Sequence, residues 1–189
     1  NDGPVTSNNF EVANIAAVVS GENKQSQYCA TLAEAVAAAE GATITMLRDV
    51  ELTETVTIPA DKVVTLDLNG KTISQTKECT ASYEMICNKG NLTITDSSDA
   101  KTGKLTYVNT DTTASNVTVS TISSEPGSVL NITGGTVENK TVKADGSSIY
   151  SYAIDMLTNG SLGDVTATIE GGTVYSDYMA IRQFNNGTA

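Results

Sequence analysis

The amino-acid sequence predicts an all-β chain coiled into a solenoid, with three short strands in each repeat. The first observation is a repeated sequence motif: VLNITGGTV at residues 129–137 recurs as ATIEGGTV at residues 167–174. Weaker copies lie at residues 66–73 and at residues 92–95, where the glycine and second strand follow after an insertion as residues 103–105. Each copy reads as an alternating strand, a glycine turn and a second strand, and stacked repeats of this kind are typical of solenoid proteins.

A third apolar pair follows the copies and supplies the third strand. Its isoleucines are Ile86, Ile122, Ile154 and Ile181, spaced 36, 32 and 27 residues apart. The irregular spacing indicates loops of different length on a constant core, and the repeats add up to about five coils. The side chains expected to point into this core are Val64, Leu66, Leu68, Ile73, Ile86, Leu92, Ile94, Ile122, Leu130, Ile132, Val137, Ile154, Ile169, Val174 and Ile181.

A short helix over residues 31–40 is expected to cover the first coil. Thr31 and Glu34 form a capping-box pattern, and Gly41 lies where a helix ends. A weakly alternating segment, residues 10–19, precedes this helix and reads as a strand. We therefore expect one structural domain, with the N-terminal strand and capping helix in residues 1–41 and the coils in residues 42–189.

The C-terminal end looks open or truncated in the sequence. Residues 179–187 match the start of another coil, and the strand that should follow is missing. An uncovered end leaves backbone groups unpaired. Two explanations stay open: the chain is a fragment of a longer solenoid, or the end assembles with another copy, which then donates strand 10–19.

Composition and charge exclude several classes of function. The 189-residue chain carries a formal net charge of −11 and has two arginines, so it is poorly suited to nucleic acid, whose phosphates require clustered Lys and Arg. No apolar run approaches the length of a membrane span, so no membrane insertion is expected. The chain has no histidine and no Cys-x-x-Cys pair, which argues against zinc, and no other metal or cofactor is expected.

The three cysteines allow two interpretations. Cys79 and Cys87 flank one loop and are candidates for a disulfide, which would leave Cys29 unpaired. Alternatively, all three are small buried apolar residues with free thiols.

Residues 28–74 resemble the opening of right-handed parallel β-helix domains of the pectate-lyase-like superfamily, as found in bacterial secreted and cell-surface proteins. The matching segments are YCATLAEAV at residues 28–36, VTIP at residues 56–59 and LDLNGKTI at residues 66–73. The resemblance implies a right-handed parallel β-helix and an extracellular or cell-surface location. It also implies an adhesin-like or stalk-like role with glycans or another surface protein as partners, although a minority of the superfamily are polysaccharide lyases and hydrolases.

The outward positions of the predicted coils do not contain an enzyme's set of residues. Lyases of this superfamily need acids for calcium and a nearby basic residue, and hydrolases need facing carboxylates. Each expected ladder of stacked outward side chains holds at most one acid. The ladders are Asp67, Thr93, Asn131, Thr168 on the first face, Ser74, Thr106, Glu138, Tyr175 on the second, and Cys87, Ser123, Asp155, Arg182 on the third.

The sequence therefore predicts no catalytic residues and a non-catalytic structural or adhesive module. Asp155 beside Arg182 is the nearest approach to a site, either a ligand-contacting pair or an exposed salt bridge between coils. Glu170, Tyr175 and Tyr178 are the other candidate ligand-binding residues. A carbohydrate-active β-helix, and a filament subunit that assembles through its open end, remain the alternatives.

Overall fold

The computed structural model describes residues 15–21, 26–111, 113–144, 146–158 and 163–185. Within these residues the chain is mostly β-strand with one short helix, and its strands form three sheets. The first part of the expected strand 10–19, up to residue 14, lies outside the described residues.

The seventeen described strands are divided among the three sheets. The first sheet holds β1 (Ala17–Ser20), β2 (Gln27–Cys29), β3 (Ala42–Met46), β6 (Val63–Asp67), β9 (Asn91–Thr95), β12 (Val129–Ile132) and β15 (Thr166–Ile169). The second holds β4 (Val50–Glu51), β7 (Thr72–Lys77), β10 (Lys104–Asn109), β13 (Thr136–Asn139) and β16 (Thr173–Ser176). The third holds β5 (Val56–Ile58), β8 (Tyr83–Asn88), β11 (Val117–Ser124), β14 (Ile149–Thr158) and β17 (Met179–Asn185).

From β3 onward the chain visits the three sheets in a fixed rotation. Each strand pairs in parallel with the strand three positions later, and five rounds lead from β3 to β17. Parallel pairing requires a long crossover between partners, and the two intervening strands supply it. The all-β prediction is confirmed, and none of the three sheets closes on itself within the described strands.

The expected core forms in every round but the last. Twelve of the fifteen residues expected to point inward are buried: Val64, Leu66, Leu68, Ile73, Ile86, Leu92, Ile94, Ile122, Leu130, Ile132, Val137 and Ile154. Ile169 and Ile181 are 42% and 37% exposed, and Val174 is half-buried. These three residues align with buried Ile132, Ile154 and Val137, but each lies on the last described strand of its sheet, with a neighbouring strand on one side only.

The register of the first sheet corrects one expected ladder. Thr65, rather than Asp67, lies beside Thr93, and Asp67 lies beside Thr95. A slip of two residues keeps every side chain on the same face, so the apolar pattern does not distinguish the two alignments. The ladders expected on the second and third faces are both confirmed.

Helix α1 (Leu32–Ala38) packs against β1, β2 and β5. Its apolar face is buried through Leu32, Ala35 and Val36, and the helix ends two residues before the expected boundary. The Thr31 hydroxyl accepts a hydrogen bond from the Glu34 N–H at 3.1 Å, and the Glu34 carboxylate accepts one from the Ala30 N–H at 3.0 Å. The capping pattern read from the sequence is therefore present.

We expect Thr31→Ala to lower the free energy of unfolding by about 1 kcal/mol, because the Glu34 N–H loses its acceptor at the start of the helix. Urea titration followed by circular dichroism measures the change. Thr31→Ser keeps the hydroxyl and serves as the control, and an alanine variant as stable as the parent would show that the cap contributes nothing.

Strand β1 limits the idea that segment 10–19 is donated to a second copy. Residues Ala17–Ser20 pair antiparallel with β3, and Ala17–Val19 pair with β2 on the other side. Ala17 and Val19 are buried in the chain's own core. The part of the segment from Ala17 onward is therefore used within the same molecule, at the N-terminal end of the first sheet.

A buried carboxylate organises the corner between the first two sheets. Asp96, which follows β9, accepts hydrogen bonds from the N–H groups of Gly70 (2.8 Å), Ser98 (3.1 Å) and Gly103 (2.6 Å) and from the Ser98 hydroxyl (2.8 Å). Gly103 must be a glycine here, since a Cβ would lie 2.5 Å from that of Leu68. Asp96 thus joins successive rounds of the chain at one point.

Candidate functional site

The outer face of the third sheet carries the candidate site. Burial does not alternate along its central strands: residues 85–88 on β8 and residues 119–124 on β11 are all buried, and the adjacent residues Met85 and Ile86 both belong to the hydrophobic core. Outward positions therefore lie on both sides of this pair of core residues. One ladder aligns Glu84, Ser120 and Tyr152, and the other aligns Cys87, Ser123, Asp155 and Arg182.

Asp155 and Arg182 form a two-pronged ion pair. Arg182 Nε donates to Asp155 Oδ1 at 2.7 Å, and Arg182 Nη2 donates to Asp155 Oδ2 at 2.5 Å. Asp155 is 3% exposed, so the pair is not the exposed salt bridge that was one of the two expectations. The guanidinium carbon lies 4.3 Å from the ring centre of Tyr152 and 4.9 Å from that of Phe184, so Arg182 packs against two aromatic rings.

Asp155 stabilises the charged form of Arg182. Burial alone would lower the pKa of Arg182, but the hydrogen bonds to Asp155 and its negative charge outweigh burial and raise that pKa. Both oxygens of Asp155 are occupied by the guanidinium. The guanidinium of Arg182 therefore binds Asp155 and packs against the rings of Tyr152 and Phe184.

Two further acids lie in the same region, and the sequence analysis missed them. Glu84 on β8 and Glu125, which follows β11, line one groove with Asp155. Burial, and then the negative charges of Glu125 and Asp155, raise the pKa of Glu84, while Lys89 opposes the shift. The acids were overlooked because each ladder was considered separately, whereas these carboxylates come from different ladders and meet across them.

The groove has a volume of about 320 Å³ and a floor of small polar side chains. Ser120 and Ser123 line it and are only 2% and 4% exposed. Neither hydroxyl has a hydrogen-bond partner among the described residues. The walls are taller side chains, namely Tyr83, Glu84, Thr118, Glu125, Leu157, Arg182 and Phe184, with Ser82 at one end.

The cysteines follow the second interpretation, not the disulfide. Cys29, Cys79 and Cys87 are all buried with free thiols. The Tyr107 hydroxyl donates to the Cys79 sulfur at 3.6 Å, whereas the Cys87 sulfur lies 4.0 Å from a carboxylate oxygen of Glu125. Burial, and then the charge of Glu125, raise the pKa of Cys87 to about 11, so this thiol is neutral beside the groove at neutral pH.

The remaining predicted ligand-binding residues do not join the groove. Glu170 is exposed and follows β15 at the first sheet. Tyr175 belongs to β16 in the second sheet, and its hydroxyl donates to Asp177 Oδ1 at 2.5 Å. Tyr178 lies nearer, because its ring packs edge-on against Tyr152, the residue beneath Arg182, with centroids 5.9 Å apart. Asp155 and Arg182 are thus the only two of the five that the described structure brings together directly.

The groove offers polar ligands both donors and acceptors. Its hydroxyls and carboxylates line the floor and rim, and no three side chains among the described His, Cys, Asp and Glu residues are placed to hold a metal ion. The described residues include no helix long and apolar enough to cross a membrane. In comparisons with known proteins, no protein-family model, curated protein or solved structure matches this chain.

Proposed function

We propose that this chain is a non-catalytic structural and adhesive module of a bacterial secreted or cell-surface protein, and that it binds a glycan in the groove of the third sheet. The observation that carries the proposal is the pair of buried serines, Ser120 and Ser123, whose hydroxyls open into the groove without protein partners. The two oxygens are not among the fully buried side-chain atoms that lack a partner, so solvent reaches them from the groove and a ligand can replace that water. Sugar hydroxyls both donate and accept, so a bound glycan would satisfy these groups.

The architecture that we propose is a right-handed parallel β-helix of the pectate-lyase-like superfamily. The rotation of the chain through three sheets, with parallel pairing from β3 onward, supports it, together with the resemblance carried by residues 28–74. Such a coil grows along one axis by adding repeats and stacks equivalent side chains on its outer faces. This arrangement suits a rigid stalk that presents a binding face, and the resemblance is what supports the extracellular location and the surface partners.

A glycan-binding assay on the intact chain tests this proposal. We expect saturable binding to at least one oligosaccharide class in a panel of neutral, acidic and amino-sugar glycans. The double variant Ser120→Ala, Ser123→Ala should weaken binding about tenfold or more, because two hydrogen bonds to the ligand are lost. Thr106→Ala, on the outer face of the second sheet, is the matched control and should bind as the parent does.

Two results would contradict the proposal. One is that no glycan in the panel binds. The other is that the serine double variant, still folded by circular dichroism, binds as well as the parent.

A carbohydrate-active β-helix is the second candidate, and one observation favours it. Glu84 has a raised pKa and is in no ion pair with a described residue, whereas both oxygens of Asp155 accept hydrogen bonds from Arg182, so one groove holds carboxyl groups in different environments. Pairs of this kind supply the acid and the base of glycoside hydrolysis. Cleavage of a bound polysaccharide that disappears in Asp155→Asn would favour this candidate over the adhesive one.

Self-assembly through the last round of strands is the third candidate. Ile169, Ile181 and Phe184 are exposed there, and β15, β16 and β17 each have one edge without a neighbouring described strand. Exposed strand edges of this kind favour pairing with another chain. Light scattering over a concentration series separates this candidate from a monomeric module.

A further inference from the structure

We propose that the groove of the third sheet selects glycans that carry free ammonium groups, that is, unacetylated amino sugars. This inference rests on the proposed glycan-binding function and names the ligand class for the same groove. Four features of the groove support it. Two carboxylates lie outside any ion pair of the described residues, and the arginine of the groove is already bound to Asp155. Serine hydroxyls line the base of the groove, and an aromatic ring lines one side.

The charge of the groove favours a cation. Among the described residues, the ion pairs join Lys77 to Glu54, Lys104 and Lys140 to Glu138, and Arg182 to Asp155. Glu84 and Glu125 are in none of these pairs, and both line the groove. Lys89 acts on Glu84 from a greater distance and is exposed to solvent, so the rim keeps two carboxylates that form no ion pair with a described residue; the neutral Cys87 thiol is the neighbour of Glu125.

Glu84 is in an environment that already disfavours its charge. Its pKa is raised by burial and by Glu125 and Asp155, with Lys89 opposing. A cation that enters the groove would relieve this repulsion. Because hydrogen bonds between ammonium groups and carboxylates are stronger than those between neutral groups, the rim should distinguish a free amine from its acetylated form.

The same geometry disfavours acidic sugars. A uronate would need a free cationic group, but both oxygens of Asp155 already bind Arg182, which also packs against Tyr152 and Phe184. Releasing the guanidinium would leave Asp155 as a buried charge without a partner, which is costly. A uronate would also meet Glu84 and Glu125 at the rim.

The floor and one wall favour a sugar over a bare cation or a lysine side chain. The buried hydroxyls of Ser120 and Ser123 provide directional partners for sugar hydroxyls. Phe184, which is 45% exposed, offers an apolar surface at the other end of the groove. A volume of about 320 Å³ lies at the lower end of the range for ligand pockets. A lysine side chain would place its apolar stem over the polar floor instead.

Isothermal titration with short oligosaccharides tests the inference. The probes are glucosamine oligomers with free amines, N-acetylglucosamine oligomers of the same length, galacturonate oligomers and a lysine-rich peptide. Short probes and near-physiological salt are needed because the net charge of −11 attracts any polycation. We expect the free-amine oligomer to bind about tenfold or more tightly than its acetylated match, the change expected for one charge-assisted hydrogen bond.

Matched variants locate the effect. Glu84→Gln with Glu125→Gln keeps the shape of the rim and removes its charge, so the preference for free amines should disappear while binding of acetylated oligomers persists. Glu51→Gln, an exposed acid on the second sheet, is the control and should preserve the preference. Because the double variant removes like charges from a half-buried site, circular dichroism should show the parent fold.

Other results would contradict either the amino-sugar inference alone or the proposed glycan-binding function as well. Equal binding of amine and acetylated oligomers, or tighter binding of galacturonate, overturns the amino-sugar inference and leaves glycan binding in place. Binding of the lysine-rich peptide in place of all sugars assigns the groove to a protein partner and overturns both claims. Failure of every glycan, here and in the wider panel, overturns the proposed function itself.

Discussion

Ile132→Ala should lower the free energy of unfolding by about 2–5 kcal/mol, since the lost methyl groups leave a cavity that a stacked core closes poorly. Ile132 is fully buried in the first sheet and lies between Ile94 and Ile169 in the register. Equilibrium urea unfolding, followed by circular dichroism, measures the change.

Ile169→Ala is the matched control, because it makes the same chemical change one strand further along the same ladder. Ile169 is 42% exposed, so its replacement should cost about 1 kcal/mol. If both variants lost the same stability, Ile169 would be buried in solution, and the last round would be covered by something that the described residues do not include.

Asp96→Ala should cost about 3 kcal/mol, because three backbone N–H groups and the Ser98 hydroxyl lose their acceptor at one corner. Asp99→Ala removes a like charge from the same loop and is the control, since Asp99 is exposed. Urea unfolding at neutral pH compares the two variants, and a similar small loss in both would mean that the corner does not depend on Asp96.

The contribution of Asp96 should also depend on pH. Burial alone would raise the pKa of Asp96, but hydrogen bonds from the Ser98 side chain and from the N–H groups of Gly103, Gly70 and Ser98 outweigh burial and lower that pKa below 3.8. A carboxyl whose pKa is lower in the folded state stabilises the fold above its unfolded pKa. This stabilisation is lost as the pH falls through the folded pKa.

The stability difference between the parent and Asp96→Asn should therefore be constant near neutral pH and shrink once the pH falls below 3.8. Unfolding curves collected over this range test the prediction. A difference that stays constant into strong acid would indicate that Asp96 is not ionised in the folded protein.

Much of the fold could be predicted because its signals are local and repeated. The GGTV motifs and the isoleucine pairs predict how strands align on the second and third faces. The observed register of these two sheets agrees with the expected ladders. Thr31 and Glu34 predict the start of the helix. In the first sheet Thr93, Asn131 and Thr168 align as expected, but β6 was misaligned by two residues, since a slip of that size leaves the inward and outward faces unchanged.

The candidate site was predicted only in part. The stacking of Asp155 on Arg182 follows from equivalent positions in two repeats, and the sequence shows those positions directly. Glu84 and Glu125 belong to other ladders, and their approach to Asp155 depends on the interrupted alternation in β8 and β11. Glu170 and Tyr175 were also expected to be ligand-binding residues, but they lie at the other two sheets.

The sequence by itself determined which residues repeat, and hence which side chains stack. Apolar and polar residues alternate along the strands of the copies, and glycine turns recur between the strands. Only the tertiary structure decided which ladders face one another and how deeply they are buried. Burial depends on the height of neighbouring side chains: Ser120 and Ser123 point outward, yet taller neighbours enclose them. Ile169 and Ile181 point inward, yet they stay exposed because no described strand covers them.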